Sequence, residues 1–443
     1  MKTSRFSRII KLAGSVSKVA TNMALDKLKE AEELTYKLKM AKEIIGTMGE
    51  LKGGLMKVGQ MLSITEDLLL PPEITELFKT LQKDAPAMSE ADLLYMFKLN
   101  FKKRPEELFK TFDYKPIAAA SIGQVHKATL TDGTVVAVKV QYPGIDKAIV
   151  SDLSNLDGID QLINLFVPNK PNIKSVLTEM KRSLVNETDY INEANEMCLF
   201  RDATNDRFEE IKIPKVFKEF STKSILTTEF CEGVPFEESR QFSQATKNRL
   251  GTLLFEHFLF SFFELRKLHT DPQNGNYLFN EKGIILLDFG STKSFDEEFI
   301  HYYTLMLMAI EYNRMDLFKI AGLYLNLFSK DDDQDYINRN FKLIYNILAP
   351  YFGEGSYAVD ELNPLSLIKD FFQTIEIKGR TPPRSEFFLL DRANLGLFSK
   401  LKYWKSEVNW KEGREKYRKK SNIAALAYFK ERYPNVDFSM IIP

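Results

Sequence analysis

A lysine lies inside an otherwise apolar run, Val135-Val136-Ala137-Val138-Lys139-Val140. Branched side chains at this density fit a pleated, half-buried strand. An ammonium placed there is costly unless a carboxylate or a phosphate meets it. The alternative is an edge-strand lysine that discourages pairing with another sheet. Upstream, Gly123 to Leu130 reads as a second strand, and Asp132-Gly133 between the two is the strongest short hairpin signal in the chain. Any fold for this sequence must therefore accommodate an antiparallel hairpin carrying a charge in need of a partner.

Around that hairpin the texture changes twice. From Met1 to about Phe109 the pattern is helical, broken by Gly53-Gly54, Pro71-Pro72 and Pro86. After the hairpin a helix is expected from Ile173 to about Thr204, with Ile173, Val176, Leu177, Met180 and Leu184 on one face. Lys223 to Phe230 then reads as a strand ending at Glu232-Gly233. Beyond Ser243 helices rich in phenylalanine dominate, interrupted between Asp271 and Gly290 by loops around an apolar strand, Gly283 to Leu287. No internal repeat or low-complexity tract is found. The order predicts a bilobal α+β fold: a helical extension over residues 1–110, a small sheet lobe over 111–232 and a helical lobe over 233–443, with a cleft between the lobes.

Composition narrows the functional classes. The 443 residues are 44% hydrophobic, enough for one large bilobal core. Sixty-one basic residues balance 61 acidic ones, so no global field favours nucleic acid. Cys198 and Cys231 cannot build a disulfide framework, and the 4 histidines show no zinc spacing. The longest apolar stretch, Leu250 to Leu265, is broken by Glu256, His257 and Glu264, whereas a spanning helix needs about 20 nearly uncharged residues. No transmembrane helix is predicted. Residues 1–25 carry Lys2, Arg5, Arg8, Lys11 and Lys18 without an acid, while Ile9, Leu12, Val16, Val19 and Met23 recur at helical spacing. Three readings fit this basic amphipathic helix: docking on its own protein, lying on anionic lipid, or a presequence.

The chemistry concentrates in three ordered motifs. Val136-Ala137-Val138-Lys139 has the V-A-x-K form of the kinase lysine strand. His269-Thr270-Asp271-Pro272-Gln273-Asn274-Gly275-Asn276 has the H-x-D-x-x-x-x-N form and stands shortly before Asp288-Phe289-Gly290. Asn276 and Asp288 supply oxygen ligands where Mg²⁺ could bridge phosphate oxygens, with Asp271 near the terminal phosphate. Each motif alone is weak, since a lone D-F-G is usually a strand-end turn; their order and context carry the argument. A glycine-rich phosphate loop is missing. In its place stands Ala118-Ala119-Ala120-Ser121-Ile122-Gly123, whose methyl groups restrict positive φ and limit how closely the backbone approaches a phosphate.

These segments, with Lys57-Val58-Gly59-Gln60, Leu81 to Pro86, Glu187-Thr188-Asp189-Tyr190 and Glu193-Ala194, resemble the UbiB-type (aarF-domain) atypical kinases associated with coenzyme Q biosynthesis, over roughly residues 3–300. The resemblance implies ATP and Mg²⁺ as cofactors. It implies that Lys139 holds the α/β-phosphates and pairs with Glu193, that Asp271 is the catalytic-loop aspartate, and that Asn276 and Asp288 hold the metal. Ala118, Ala119, Ala120 and Ser121 would cover the phosphates, and Thr228 to Cys231, including Glu229, would form the hinge beside adenine. Lys57 and Gln60 would fold over the cleft to meet Glu187 and Asp189, occluding it. Read without the family, Lys57 is equally a solvated charge, and Glu187 and Asp189 an acidic helix face. An occluded cleft denies a protein hydroxyl its in-line approach, so the resemblance implies an ATPase that serves quinone precursors, lipids or quinone-biosynthesis enzymes, with no nucleic-acid partner. A true phosphotransferase and a nucleotide-gated scaffold are the alternatives. Gln273-Asn274 departs from the His-Pro of many bacterial members. The absence of apparent C-terminal membrane segments and of a long leader leads to the expectation of a bacterial, cytoplasm-facing protein, at most peripheral on the membrane through residues 1–25.

Overall fold

The computed structural model describes residue 36 and residues 88–120, 122–152, 185–348, 352–353, 355–358 and 383–441. The amphipathic segment 1–25, Lys57, Gln60, Ser121 and the helix face Ile173 to Leu184 lie outside the described residues. The first described helix, α1 (Glu90–Phe101), starts where Ser89 Oγ accepts from the Asp92 amide at 3.1 Å, and closes at Lys102 in the left-handed conformation, φ 61°. Next come β1 (Thr111–Phe112), β2 (Ala118–Ala120), β3 (Gly123–Thr129), β4 (Val135–Gln141), α2 (Ile145–Asp152), α3 (Tyr190–Asn205), β5 (Ile211–Lys212) and β6 (Ile225–Glu229).

The expected hairpin is β3 and β4, with Val125 opposite Lys139. At its turn Gly133 sits at φ 90°, and the Thr134 amide donates to Asp132 Oδ1 at 2.8 Å, so both turn residues are used for their chemistry. The sheet runs β1-β3-β4-β6, with β2 on the other part of β3, all antiparallel. Strand periodicity puts Val136, Val138 and Val140 on one face, fully buried against Met96, Phe97, Phe109, Phe217 and Ile225. Lys139 is left on the opposite face, so the charge that the sequence placed in an apolar run never enters the apolar core.

The single helix expected from Ile173 to Thr204 is broken. Residues 185–187 are helical, Thr188 turns, and Asp189 is extended. Asp189 Oδ1 accepts from the Ile191 and Asn192 amides at 3.0 and 3.2 Å, making it the N-cap of α3. A short carboxylate beside free amides competes with helix continuation, which apolar periodicity does not register.

The larger core belongs to the helical half: α4 (Gln244–Phe263), β7 (Lys267–His269), β8 (Tyr277–Asn280), β9 (Gly283–Leu286), β10 (Thr292–Ser294), α5 (Glu297–Glu311), α6 (Met315–Tyr324), α7 (Gln334–Leu348), β11 (Ser356–Ala358), α8 (Ser385–Trp404), β12 (Glu407–Asn409) and α9 (Trp410–Arg432). α5 is buried from Phe299 through Ile310, as a helix apolar all round must be. α4 packs on α8 and α9, and α5 on α6 and α9. The predicted apolar strand is β9; β8 pairs with it antiparallel and β5 parallel, while β7 and β10 form a separate ribbon. Among the described residues no helix is long and apolar enough to cross a membrane. A small-sheet core and a helical core, side by side, make the predicted bilobal α+β arrangement.

Candidate functional site

Lys139 reaches from the other face of β4 to two other segments. Its Nζ donates to Glu193 Oε1 and Oε2 at 2.9 and 3.1 Å, and to Asp288 Oδ2 at 2.9 Å. The predicted Lys139–Glu193 pair is therefore present, and Asp288 joins it. The ammonium also lies 4.8 Å from the centre of the Tyr190 ring. Burial alone would lower the Lys139 pKa, but Asp288 and then Glu193 outweigh it and hold the group well above its usual value. Burial, then Asp288, pushes the Glu193 carboxyl up to about 7, against the pull of Lys139. One cation meets two carboxylates, and hard oxygen donors of this kind suit a divalent cation such as Mg²⁺.

The second part of the site is the stretch from β7 to β8. Asp271 N–H donates to His269 Nδ1 at 3.3 Å, and His269 Nε2 bonds the Asp288 backbone carbonyl. This arrangement calls for a neutral imidazole protonated at Nε2, in keeping with burial lowering the His269 pKa. His269 thereby ties the Asp271 loop to the Asp288 loop. Phe289 is fully buried between Phe200 of α3, 5.0 Å between ring centres, and His269, 5.4 Å. Asn276 Nδ2 donates to the Asp271 carbonyl at 3.0 Å and to Asp271 Oδ2 at 3.2 Å. With its nitrogen so engaged, the amide turns its oxygen away from Asp271, presenting the atom a hard cation would take.

Sequence reasoning missed what covers Asp271. Its side chain is only 2% exposed, and Oδ1 accepts from Arg392 Nη2 of α8 at 3.0 Å. One turn later, a Cβ on Gly396 would sit 1.9 Å from Pro272 Cβ, so only glycine lets α8 come this close. A further turn on, Lys400 Nζ donates to the Pro272 carbonyl and lies 4.5 Å from the Tyr277 ring centre. Burial lowers the Lys400 pKa to about 7, with Asp271 and Glu237 opposing. Arg392, Gly396 and Lys400 recur every four residues and share one face of α8. The signal was available: cations inside the apolar run Phe387 to Leu401, the same anomaly that marks Lys139.

The remaining expected residues are more dispersed. Ala118, Ala119 and Ala120 form strand β2, opposite Val125, Gln124 and Gly123, rather than a loop. Glycine is required at Gly123, where a Cβ would lie 2.1 Å from the Val140 carbonyl oxygen. Glu229 ends β6 and accepts from Lys212 Nζ at 2.5 Å; Cys231 is half-buried, and burial raises its thiol pKa. Glu187 is buried, with its Cγ 3.2 Å from the position of a Gly290 Cβ, which brings it beside the Asp288 loop, while Asp189 serves as the α3 cap. Neither is the solvated acidic face that sequence alone allowed.

Comparison with known proteins bears on this arrangement. The "ABC1 atypical kinase-like domain" family pattern matches residues 80–320. The chain is similar to the probable serine/threonine-protein kinase abkA of Dictyostelium discoideum, with 31% identity over 395 residues, spanning 83% of this chain and 69% of that protein. It is similar to the mitochondrial atypical kinase COQ8 of Schizosaccharomyces pombe, at 30% over 361 residues, spanning 80% of this chain and 58% of the relative. The Saccharomyces cerevisiae protein of the same name matches at 28% over 416 residues, spanning 89% and 81%. Among solved structures, the Rv3197–erythromycin complex from Mycobacterium tuberculosis superposes with a TM-score of 0.58 at 27% identity, covering 87% of this chain and 98% of that one.

Proposed function

The chain belongs to the ABC1 atypical kinase-like family, and from that premise we propose that it binds Mg-ATP between its lobes and hydrolyses it in support of isoprenoid quinone biosynthesis. The observation that carries the nucleotide reading is the Lys139–Glu193–Asp288 cluster, in which three segments far apart in sequence meet at hydrogen-bond distance. Lys139 holds the α/β-phosphates and Glu193 orients it; Asn276 and Asp288 are the residues that would hold the metal. Bound Mg²⁺ supplies charge neutralisation at the phosphate oxygens. His269 ties the Asp271 loop to the Asp288 loop through one hydrogen bond to each.

Hydrolysis is favoured over protein phosphorylation because Asp271 is covered. A seryl or tyrosyl hydroxyl must come within near-attack distance of the terminal phosphate, yet Asp271 is sealed beneath Arg392. Water needs far less room. Glu187, buried next to Gly290, adds bulk beside the Asp288 loop. The quinone role rests on the likeness to the UbiB-type family and to relatives named COQ8.

The test follows the γ-phosphate of labelled ATP with purified protein, Mg²⁺ and anionic liposomes, comparing wild type with Asp288→Asn. Release of phosphate to water, reduced to background in the variant, is the expected outcome. Label retained on the protein or on an added acceptor would replace hydrolysis by phosphotransfer, and binding without turnover would leave a nucleotide-gated scaffold.

A further inference from the structure

Glu196 lies one turn beyond Glu193 on α3 and takes no part in the cluster just described. Its two carboxylate oxygens contact two different strands. Lys267 Nζ of β7 donates to Oε1 at 2.7 Å, and Thr292 Oγ1 of β10 donates to Oε2 at 2.9 Å. β7 and β10 are partners in one ribbon, with Thr292 opposite His269 and Ser294 opposite Lys267. Lys267 stands two residues before His269, and Thr292 two residues after Gly290. A single carboxylate thus grips the ribbon from which both the Asp271 loop and the Asp288 loop depart.

Residues three apart on a helix share a face and are offset by about 4.5 Å along its axis. Glu193 faces the small-lobe lysine, and Glu196 faces the large-lobe ribbon, so α3 is pinned on both sides of the cleft within one turn. Phe200, a turn further on, packs on Phe289. Two hydrogen bonds to one carboxylate add a directional constraint on rotation and register that an apolar contact does not supply. The side chains of Lys267 and Glu196 are 16% and 14% exposed, so water screens the pair only weakly.

We propose that Glu196 is a positioning residue: by locking α3 to the β7–β10 ribbon it keeps Glu193 within reach of Lys139, and Lys139 at Asp288. This rests on the nucleotide reading of the cluster, but its structural half can be tested apart from that reading. Hydrogen exchange of the α3 amides in nucleotide-free protein would be compared between wild type, Glu196→Ala, Glu196→Gln and Lys267→Met, with α4 as internal reference. Mg-ATP affinity and turnover would be measured on the same samples. Glu196→Ala should speed exchange over Glu193 to Phe200 by about tenfold, equivalent to about 1.4 kcal/mol, and weaken nucleotide binding by a similar factor. Glu196→Gln, which preserves shape and the Thr292 bond, should recover part of both effects. The Glu196→Ala/Lys267→Met double variant, measured alongside, should exchange little faster than Glu196→Ala alone, because the Lys267 bond is already lost in Glu196→Ala. Unchanged α3 exchange in Glu196→Gln and in folded Glu196→Ala would overturn the proposal. Should wild type bind no nucleotide, the nucleotide reading fails, while the exchange data still decide whether Glu196 holds α3.

Discussion

At the scale of single residues, Tyr190 shows how one side chain serves and costs the site at once. Its ring lies beneath the Lys139 ammonium, and its hydroxyl is buried with no hydrogen-bond partner among the described residues. Burial raises the phenol well above its usual pKa, so it remains a neutral group that has left water without compensation among the described residues. Tyr190→Phe keeps the ring and removes that penalty. It should leave stability within about 0.5 kcal/mol of wild type or raise it by about 1 kcal/mol. Tyr190→Leu should lose a further 0.5–2 kcal/mol or about that with the cation–π contact. Urea unfolding of the two variants checks this; a Tyr190→Phe loss well above about 1 kcal/mol would show that the hydroxyl is satisfied. Lys139 was legible in sequence because a charge in an apolar run demands a partner. Glu193 as that partner, 54 residues away, came only through the family resemblance, and Asp288 as a second, 149 residues away, was not foreseen.

At the scale of elements, the decisive contact is the face of α8 laid on the Asp271 loop. Gly396 permits the approach, and Arg392 and Lys400 fasten it from either side. Gly396→Val would drive side-chain atoms into Pro272. The expected result is a stability loss of about 1–3 kcal/mol, as for overpacking in a close-packed interior, together with a fall in phosphate release larger than the fall in Mg-ATP affinity, because Lys139 and Glu193 sit on other elements. Equal losses in both would place the effect in the fold rather than in the Asp271 loop. Elements themselves were read well where local chemistry specifies them. Asp132-Gly133 announced the β3–β4 turn, and the alternating valines announced β4. The helix broken at Asp189 was misread because apolar periodicity cannot see a cap. β7 and β10 are short strands about 25 residues apart that pair with each other, so no local pattern marks them, whereas β8 is a short strand in a local hairpin with β9.

At the scale of the molecule, stability should depend on pH through a histidine remote from the cluster. His257 of α4 is buried against Phe208 and Phe260 and shares a hydrogen bond with Thr204 Oγ1 of α3 at 3.2 Å. Burial, aided by His269, lowers its pKa from 6.5 to about 4. A folded-state pKa below the unfolded one means that the unfolded chain takes up the proton first. The stabilising contribution of neutral His257 is therefore complete above about pH 6.5 and is lost as pH falls toward 4, with a slope of up to about 1.4 kcal/mol per pH unit. His257→Gln should flatten chemical denaturation midpoints over that window, relative to wild type. A wild-type stability that is level between pH 6.5 and 4 would contradict the assignment.

Much of this protein was decided locally. The hairpin, the α+β order of its parts, the motif residues and the family are written in short stretches, because turn chemistry, strand alternation and motif spacing act over a few residues. What the motifs become was decided only in three dimensions. Tertiary contact brought Asp288 to Lys139, put Arg392 over Asp271, and joined Glu196 to the β7–β10 ribbon. The physical reason is common to all of these contacts: a buried charge dictates that a partner exist, whereas which distant residue supplies it depends on how the helices and strands between them pack.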